Sequence, residues 1–178
     1  MRMDLWRLVA LATPAWRVAC TRCGALAPHD STDRFRVNSN GERHDVWLLY
    51  RCRSCGDTRK RRLAHRRRAS ELPGGVLAPY LENDPAFARR HAFELPPGEP
   101  LPYRVLRPAL PAAGAVRARI VQPEPCGERW DRLLARELGC PRAQLARAAA
   151  RGTLWLEGAH SLARPVQDGQ GFVLEGLS

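Results

Sequence analysis

A chain of 178 residues, 44% of them hydrophobic, is long enough for one domain or two small ones. Its 29 basic residues face 18 acidic ones, a net charge of +11 at pH 7, and every basic residue except Lys60 is arginine. This excess implies a polyanionic partner, nucleic acid before membrane, and no run near 18 apolar residues is present to span a bilayer.

Leu5 to Leu11 and Trp16 to Ala19 read as short strands. Asp4 and Arg7 interrupt the first, and its apolar run is too short for a signal-peptide core. A cytoplasmic location is expected. Cys20-Thr21-Arg22-Cys23 follows, and Cys52-Arg53-Ser54-Cys55 repeats the spacing later in the chain. Two residues between cysteines let both sulfurs of a pair reach one metal. Two such knuckles complete a tetrahedral four-thiolate site, and Zn2+ in a closed, structural role is the expected ion. Gly24 and Gly56 stand where such turns need left-handed backbone. Two disulfides or a redox pair share this spacing. The first needs an oxidising compartment, and the second belongs to a βαβ unit that this segment does not resemble. Cys126 and Cys140 stand alone and read as small packed thiols.

Between the knuckles, Phe35 to Asn38 alternates apolar and polar, Asn40-Gly41 signals a hairpin, and Asp45 to Arg51 is a β-rich run that delivers Cys52. Thr58 to Arg67 is then a third strand or an exposed basic arm. It carries Arg59, Lys60, Arg61, Arg62, Arg66 and Arg67, a density that repels itself and suits phosphate. Knuckle, hairpin, knuckle and strand together have the layout of a zinc ribbon. A short helix is expected from Val76 to Glu82. A second is expected from Ala86 to Ala92, with Asn83-Asp84-Pro85 as its start signal.

From Glu94 to Glu128 the chain is rich in proline but keeps two possible strands, Tyr103 to Leu106 and Val116 to Val121. Beyond it, Trp130, Leu133, Leu134 and Leu138 fall at helical spacing, with Arg129, Arg132 and Arg136 on another face. Gly139 ends this helix. A second is expected from Arg142 to Arg151, carrying Arg142, Arg147 and Arg151, followed by strands at Thr153 to Glu157 and Phe172 to Glu175. The expected architecture is α+β. Residues 1–94 form a zinc ribbon with short helices, residues 95–128 a proline-rich connection, and residues 129–178 a two-helix module with a small sheet.

Two resemblances extend this reading. Arg129-Trp130-Asp131-Arg132-Leu133-Leu134, Pro141-Arg142, Arg151-Gly152, Glu157-Gly158 and Asp168-Gly169 together resemble the RNA-binding domain named after ribosomal small-subunit protein S-four. That resemblance implies binding of structured or ribosomal RNA. Glu157 and His160 depart from its pattern, the first by placing negative charge beside the loop, the second by replacing a common lysine. The stretches Phe35 to Gly41 and Asp45 to Cys52, then Asn83-Asp84 and Ala92-Phe93, resemble a bacterial family known only as domain of unknown function number 1062. It implies a ribbon-like metal-binding protein and no particular activity.

No catalytic constellation is visible. The five histidines have no metal-binding spacing, and neither a phosphate-cradling loop nor a nucleophile elbow occurs. The sequence therefore points to a zinc-binding protein that holds RNA or a ribosomal particle through arginine–phosphate contacts. The alternative is a zinc-stabilised protein-interaction adaptor whose charge serves an acidic protein.

Overall fold

A computed structural model describes residues 3–111 and 114–177. It is a mixed α+β structure with two sheets and four helices. The chain divides into two compact units. One contains residues 13–98, and the other contains residues 1–12 together with 99–178. These boundaries differ from those expected. The reason lies in strand pairing between distant segments, which local pattern cannot reveal.

The unit of residues 13–98 is built on an antiparallel sheet with β2 (Trp16–Cys20), β3 (Ala25–Asn40), β4 (Arg43–Cys52) and β5 (Thr58–Arg67) in sequence order. The Asn40-Gly41 signal marks the β3–β4 hairpin, whose two-residue loop is Gly41-Glu42 and sets the register, with Phe35 opposite Leu48 and Arg36 opposite Trp47. A bulge from Ser31 to Phe35 interrupts that ladder. Because side chains alternate along a strand, β4 sends His44, Val46, Leu48, Tyr50 and Cys52 inward. Two helices, α1 (Ala78–Leu81) and α2 (Pro85–Ala92), cover this inner face. Tyr80, Phe87, Ala88 and Ala92 pack there with Phe35, Val46, Leu48 and Tyr50. Burying Phe87 alone is worth about 1.5–3 kcal/mol. The expected start signal works as read. Asp84 caps α2 by accepting from the Phe87 N–H at 2.9 Å, and Pro85 occupies the first helical position. Asn83 adds a second link, accepting from the Phe35 N–H at 2.6 Å.

The other unit holds a five-stranded sheet in the order β6-β1-β7-β9-β8. Its strands are β1 (Asp4–Ala10), β6 (Tyr103–Leu106), β7 (Gly114–Val121), β8 (Leu154–Glu157) and β9 (Gly171–Leu177). The first described strand therefore does not lead into the four-stranded sheet. Trp6, Leu8 and Ala10 face the core of this second sheet, where β1 pairs antiparallel with β6 and parallel with β7. The proline-rich stretch forms both strands expected within it, as β6 and β7, and these belong to this sheet. Two helices, α3 (Trp130–Leu138) and α4 (Arg142–Ala150), fall as the periodicity predicts. Trp130, Leu133, Leu134 and Leu145 are buried, and the rings of Trp6 and Trp130 meet Phe172 edge-on at 5.0 and 6.1 Å. At Gly171 the sheet leaves no room for a side chain, because a Cβ there would lie 2.7 Å from the Ala118 carbonyl oxygen. No helix among the described residues is long and apolar enough to cross a membrane.

Candidate metal centre and basic surfaces

The two cysteine turns come together at one end of the four-stranded sheet. β2 runs into the first and β4 into the second. Each is closed by the same backbone bond, from the glycine N–H to the carbonyl of the leading cysteine: Gly24 to Cys20 at 2.9 Å and Gly56 to Cys52 at 3.0 Å. Both glycines have positive φ, 70° and 75°, a conformation that side chains with a Cβ resist. The Cys20, Cys23, Cys52 and Cys55 sulfurs all lie within 4.8 Å of one another and could hold a metal ion. Cys20 Sγ is 3.5 Å from Cys55 Sγ, and Cys23 Sγ is 3.8 Å from Cys52 Sγ. A tetrahedron with zinc–sulfur bonds of about 2.3 Å has edges of about 3.8 Å, so the spacing fits that ion.

Cys20 and Cys52 are buried, Cys55 is half-buried and Cys23 is exposed. Backbone N–H groups of Cys55 and then Ser54 aim at the Cys52 sulfur and bring its thiol down to about 6. Cys23 is pushed up to about 12, chiefly by its hydrogen bond with Cys55 and then with Cys20. Four protein ligands close a tetrahedral site and leave no position for a substrate, so the arrangement is suited to structure and not to activating water. Cys126 is buried and Cys140 half-buried, and neither belongs to the cluster.

The basic residues singled out in the sequence divide into tied and untied groups. On β5, Arg59 and Arg61 are half-buried and lie opposite the inward residues Tyr50 and Leu48. Arg59 donates to the Ala19 carbonyl at 2.7 Å. Arg61 donates to the His91 carbonyl and to Glu94, each at 2.8 Å, which fastens the strand to the end of α2. Lys60 and Arg62 point to the other face, exposed and with no ion pair among the described residues. Arg66 and Arg67 are exposed at the end of the strand, where Asp45 accepts from the Arg66 N–H at 3.0 Å.

In the helical unit, Arg129 and Arg142 both donate to Asp131. Arg136 pairs with Glu137 at 3.0 Å and lies 4.0 Å above the Tyr103 ring. Arg132, Arg147 and Arg151 are exposed and have no ion pair among the described residues. Glu157, the departure noted beside the loop, is matched by Arg117 at 2.8 Å.

Sequence reading overlooked one group. Arg36, Trp47 and Arg62 stand side by side across three strands, with Arg36 paired to Trp47 and Trp47 to Arg62. The Asn40-Gly41 signal locates the hairpin but not this pairing: as the two central turn residues they would set Arg36 opposite Asp45, whereas the loop is Gly41-Glu42 and sets Arg36 opposite Trp47.

Residues 37–97 match the model of a family described as "Protein of unknown function (DUF1062)". The match begins inside β3 and ends just past α2, so it includes Cys52 and Cys55 but not Cys20 and Cys23. No curated protein and no solved structure matches the chain.

Proposed function

We propose that this is a cytoplasmic zinc-binding protein whose four-stranded unit is a zinc ribbon, and that it binds RNA, structured or ribosomal, through arginine–phosphate contacts. The zinc reading is supported by the sulfur spacing, which fits that ion's bond lengths. The observation that carries the RNA reading is the set of exposed cations without carboxylate partners: Lys60, Arg62, Arg132, Arg147 and Arg151. Internal ion pairs elsewhere leave this charge unbalanced, and phosphate is its natural complement. The succession of α3, α4 and β8 also accommodates the S-four-like resemblance, with Arg132 on the exposed side of α3.

A salt titration of binding to duplex and stem-loop RNA tests this. Affinity falls on the order of tenfold or more between low and physiological salt if a few phosphates are neutralised. Replacing Arg132 and Arg151 by Glu weakens binding to all sequences alike, because phosphate contacts position without reading bases. Absence of binding to either RNA at low salt would overturn the reading.

The adaptor alternative draws on a different face. Leu5, Leu106 and Trp155 are 59%, 48% and 42% exposed and lie on the outward side of the five-stranded sheet. An acidic protein that binds in a salt-sensitive manner where RNA does not would establish that reading in its place.

A further inference from the structure

The helices of the four-stranded unit pack on the inner face of its sheet, against Phe35, Val46, Leu48 and Tyr50. The outer face holds the alternate residues. At its centre is Trp47, half-buried on β4, with exposed Arg36 on β3 to one side and exposed Arg62 on β5 to the other. Neighbouring strands lie about 4.8 Å apart, so the two guanidinium-bearing positions flank the indole at a separation of roughly 10 Å. No aromatic ring or guanidinium covers the Trp47 ring among the described residues. Beside it, Lys60 sits opposite Leu49. A concavity of about 780 Å³ continues the face and is lined in part by Arg34, Leu49, Arg51 and Thr58.

The carboxylates of this region are already engaged. Asp30 pairs with Arg53 at 2.9 Å, and Asp45 is held by His65 and the Arg66 N–H. Arg62 also acts electrostatically on Asp45, while Arg36 has no carboxylate partner among the described residues, so net positive charge remains beside Trp47. An acidic peptide would neutralise them but would gain little from a flat indole between two arginines. A duplex would offer phosphates but keep its bases stacked inside. An unpaired nucleotide offers both a ring to stack and phosphates on either side.

We propose that this face binds single-stranded RNA, with a base on Trp47 and the adjacent phosphates on Arg36 and Arg62. The proposal rests on the RNA-binding reading above and names the form of RNA taken here. It assigns the sheet face a part distinct from the arginines of α3 and α4.

The test is fluorescence anisotropy at low salt. The probes are a labelled oligouridine of about twelve nucleotides and an RNA duplex of the same length. The proteins are the wild type and the variants Trp47→Ala, Trp47→Phe and Arg36→Glu. Zinc content and circular dichroism report folding. Trp47→Ala weakens oligouridine binding on the order of tenfold, the usual size for one lost stacking contact. Trp47→Phe retains most of the affinity, Arg36→Glu loses it, and duplex binding by the Trp47 variants stays at the wild-type level. Because Arg36 is exposed, that variant answers the question even if Trp47→Ala fails to fold.

Oligouridine binding unchanged in Trp47→Ala or Arg36→Glu overturns the proposal. So does an equal loss in Trp47→Phe and Trp47→Ala, which would assign the indole a packing role. A wild type that binds duplex but no oligouridine overturns this proposal alone. A wild type that binds neither overturns the RNA reading with it.

Discussion

Asp131, the second residue of α3, accepts hydrogen bonds from Arg142, the first residue of α4. The same carboxylate accepts from Arg129 at 2.9 and 3.1 Å, and it is 7% exposed. Two arginines that the sequence offered as phosphate ligands thus join the starts of two helices through one acid.

Replacing this acid should loosen the helix pair. Asp131→Ala leaves two guanidiniums without their partner, but both are partly solvated. We expect a loss of about 1–3 kcal/mol, below that for a fully buried pair. Arg142→Ala should cost less, because Arg129 still satisfies the carboxylate. Urea denaturation of both variants checks the order.

The cysteine cluster predicts about one zinc per purified chain, because four thiolates saturate one tetrahedral ion. Cys52→Ser should lose the metal and the structure of residues 13–98, whereas Cys126→Ser should keep the metal. Acidification should release it, since protons compete for thiolates: the site is filled on the alkaline side and empties as pH falls. Elemental analysis with a pH series provides the measurement. A well-folded, metal-free wild type would count against the site.

Gly171→Ala should destabilise the five-stranded sheet by about 1–3 kcal/mol, the usual cost of forcing a methyl group into an occupied position. The obstacle is backbone, the Ala118 carbonyl, and cannot swing aside. Gly98→Ala is the control. A Cβ there meets nothing within 4 Å, so its effect should stay within about 0.5 kcal/mol. Thermal melts of the two variants separate them.

Asn83 combines a positive φ of 54° with its bond to Phe35. Asn83→Gly keeps the backbone and loses the bond, at a cost of about 1 kcal/mol. Asn83→Ala loses the bond and adds left-handed strain, so it should be the less stable of the two by roughly another 1 kcal/mol. Equal stabilities would show that the backbone conformation carries no strain.

Local chemistry was legible in the sequence. Asn40-Gly41 produced its hairpin, Asp84-Pro85 its helix start, and the apolar spacing from Trp130 to Leu138 a helix with that face buried. The cysteine spacing produced the sulfur cluster. Sheet membership was not legible. Nothing in Asp4 to Ala10 states that its partners lie about a hundred residues away, because alternation fixes which face is buried and not which strand lies alongside. Nor did the basic residues declare their partners. Arg61 and Arg62 are adjacent in sequence, yet alternation sends the first to Glu94 and the second to the open face.

The pairing of β1 with β6 has a consequence for synthesis on the ribosome. Ala10 lies opposite Tyr103, and the Leu11 N–H bonds to the Pro102 carbonyl at 2.8 Å. Residues 13–98 therefore form a closed excursion that leaves and re-enters the five-stranded sheet at neighbouring points. Every strand and cysteine of the excursion has been made once Gly98 is added. β1, made before the other described strands, must wait for β6 and β7, its neighbours in the sheet. Closure of the inserted unit, with any metal its cysteines take, can thus precede assembly of the five-stranded sheet. Among the described strands, the earliest made is among the last to find its place.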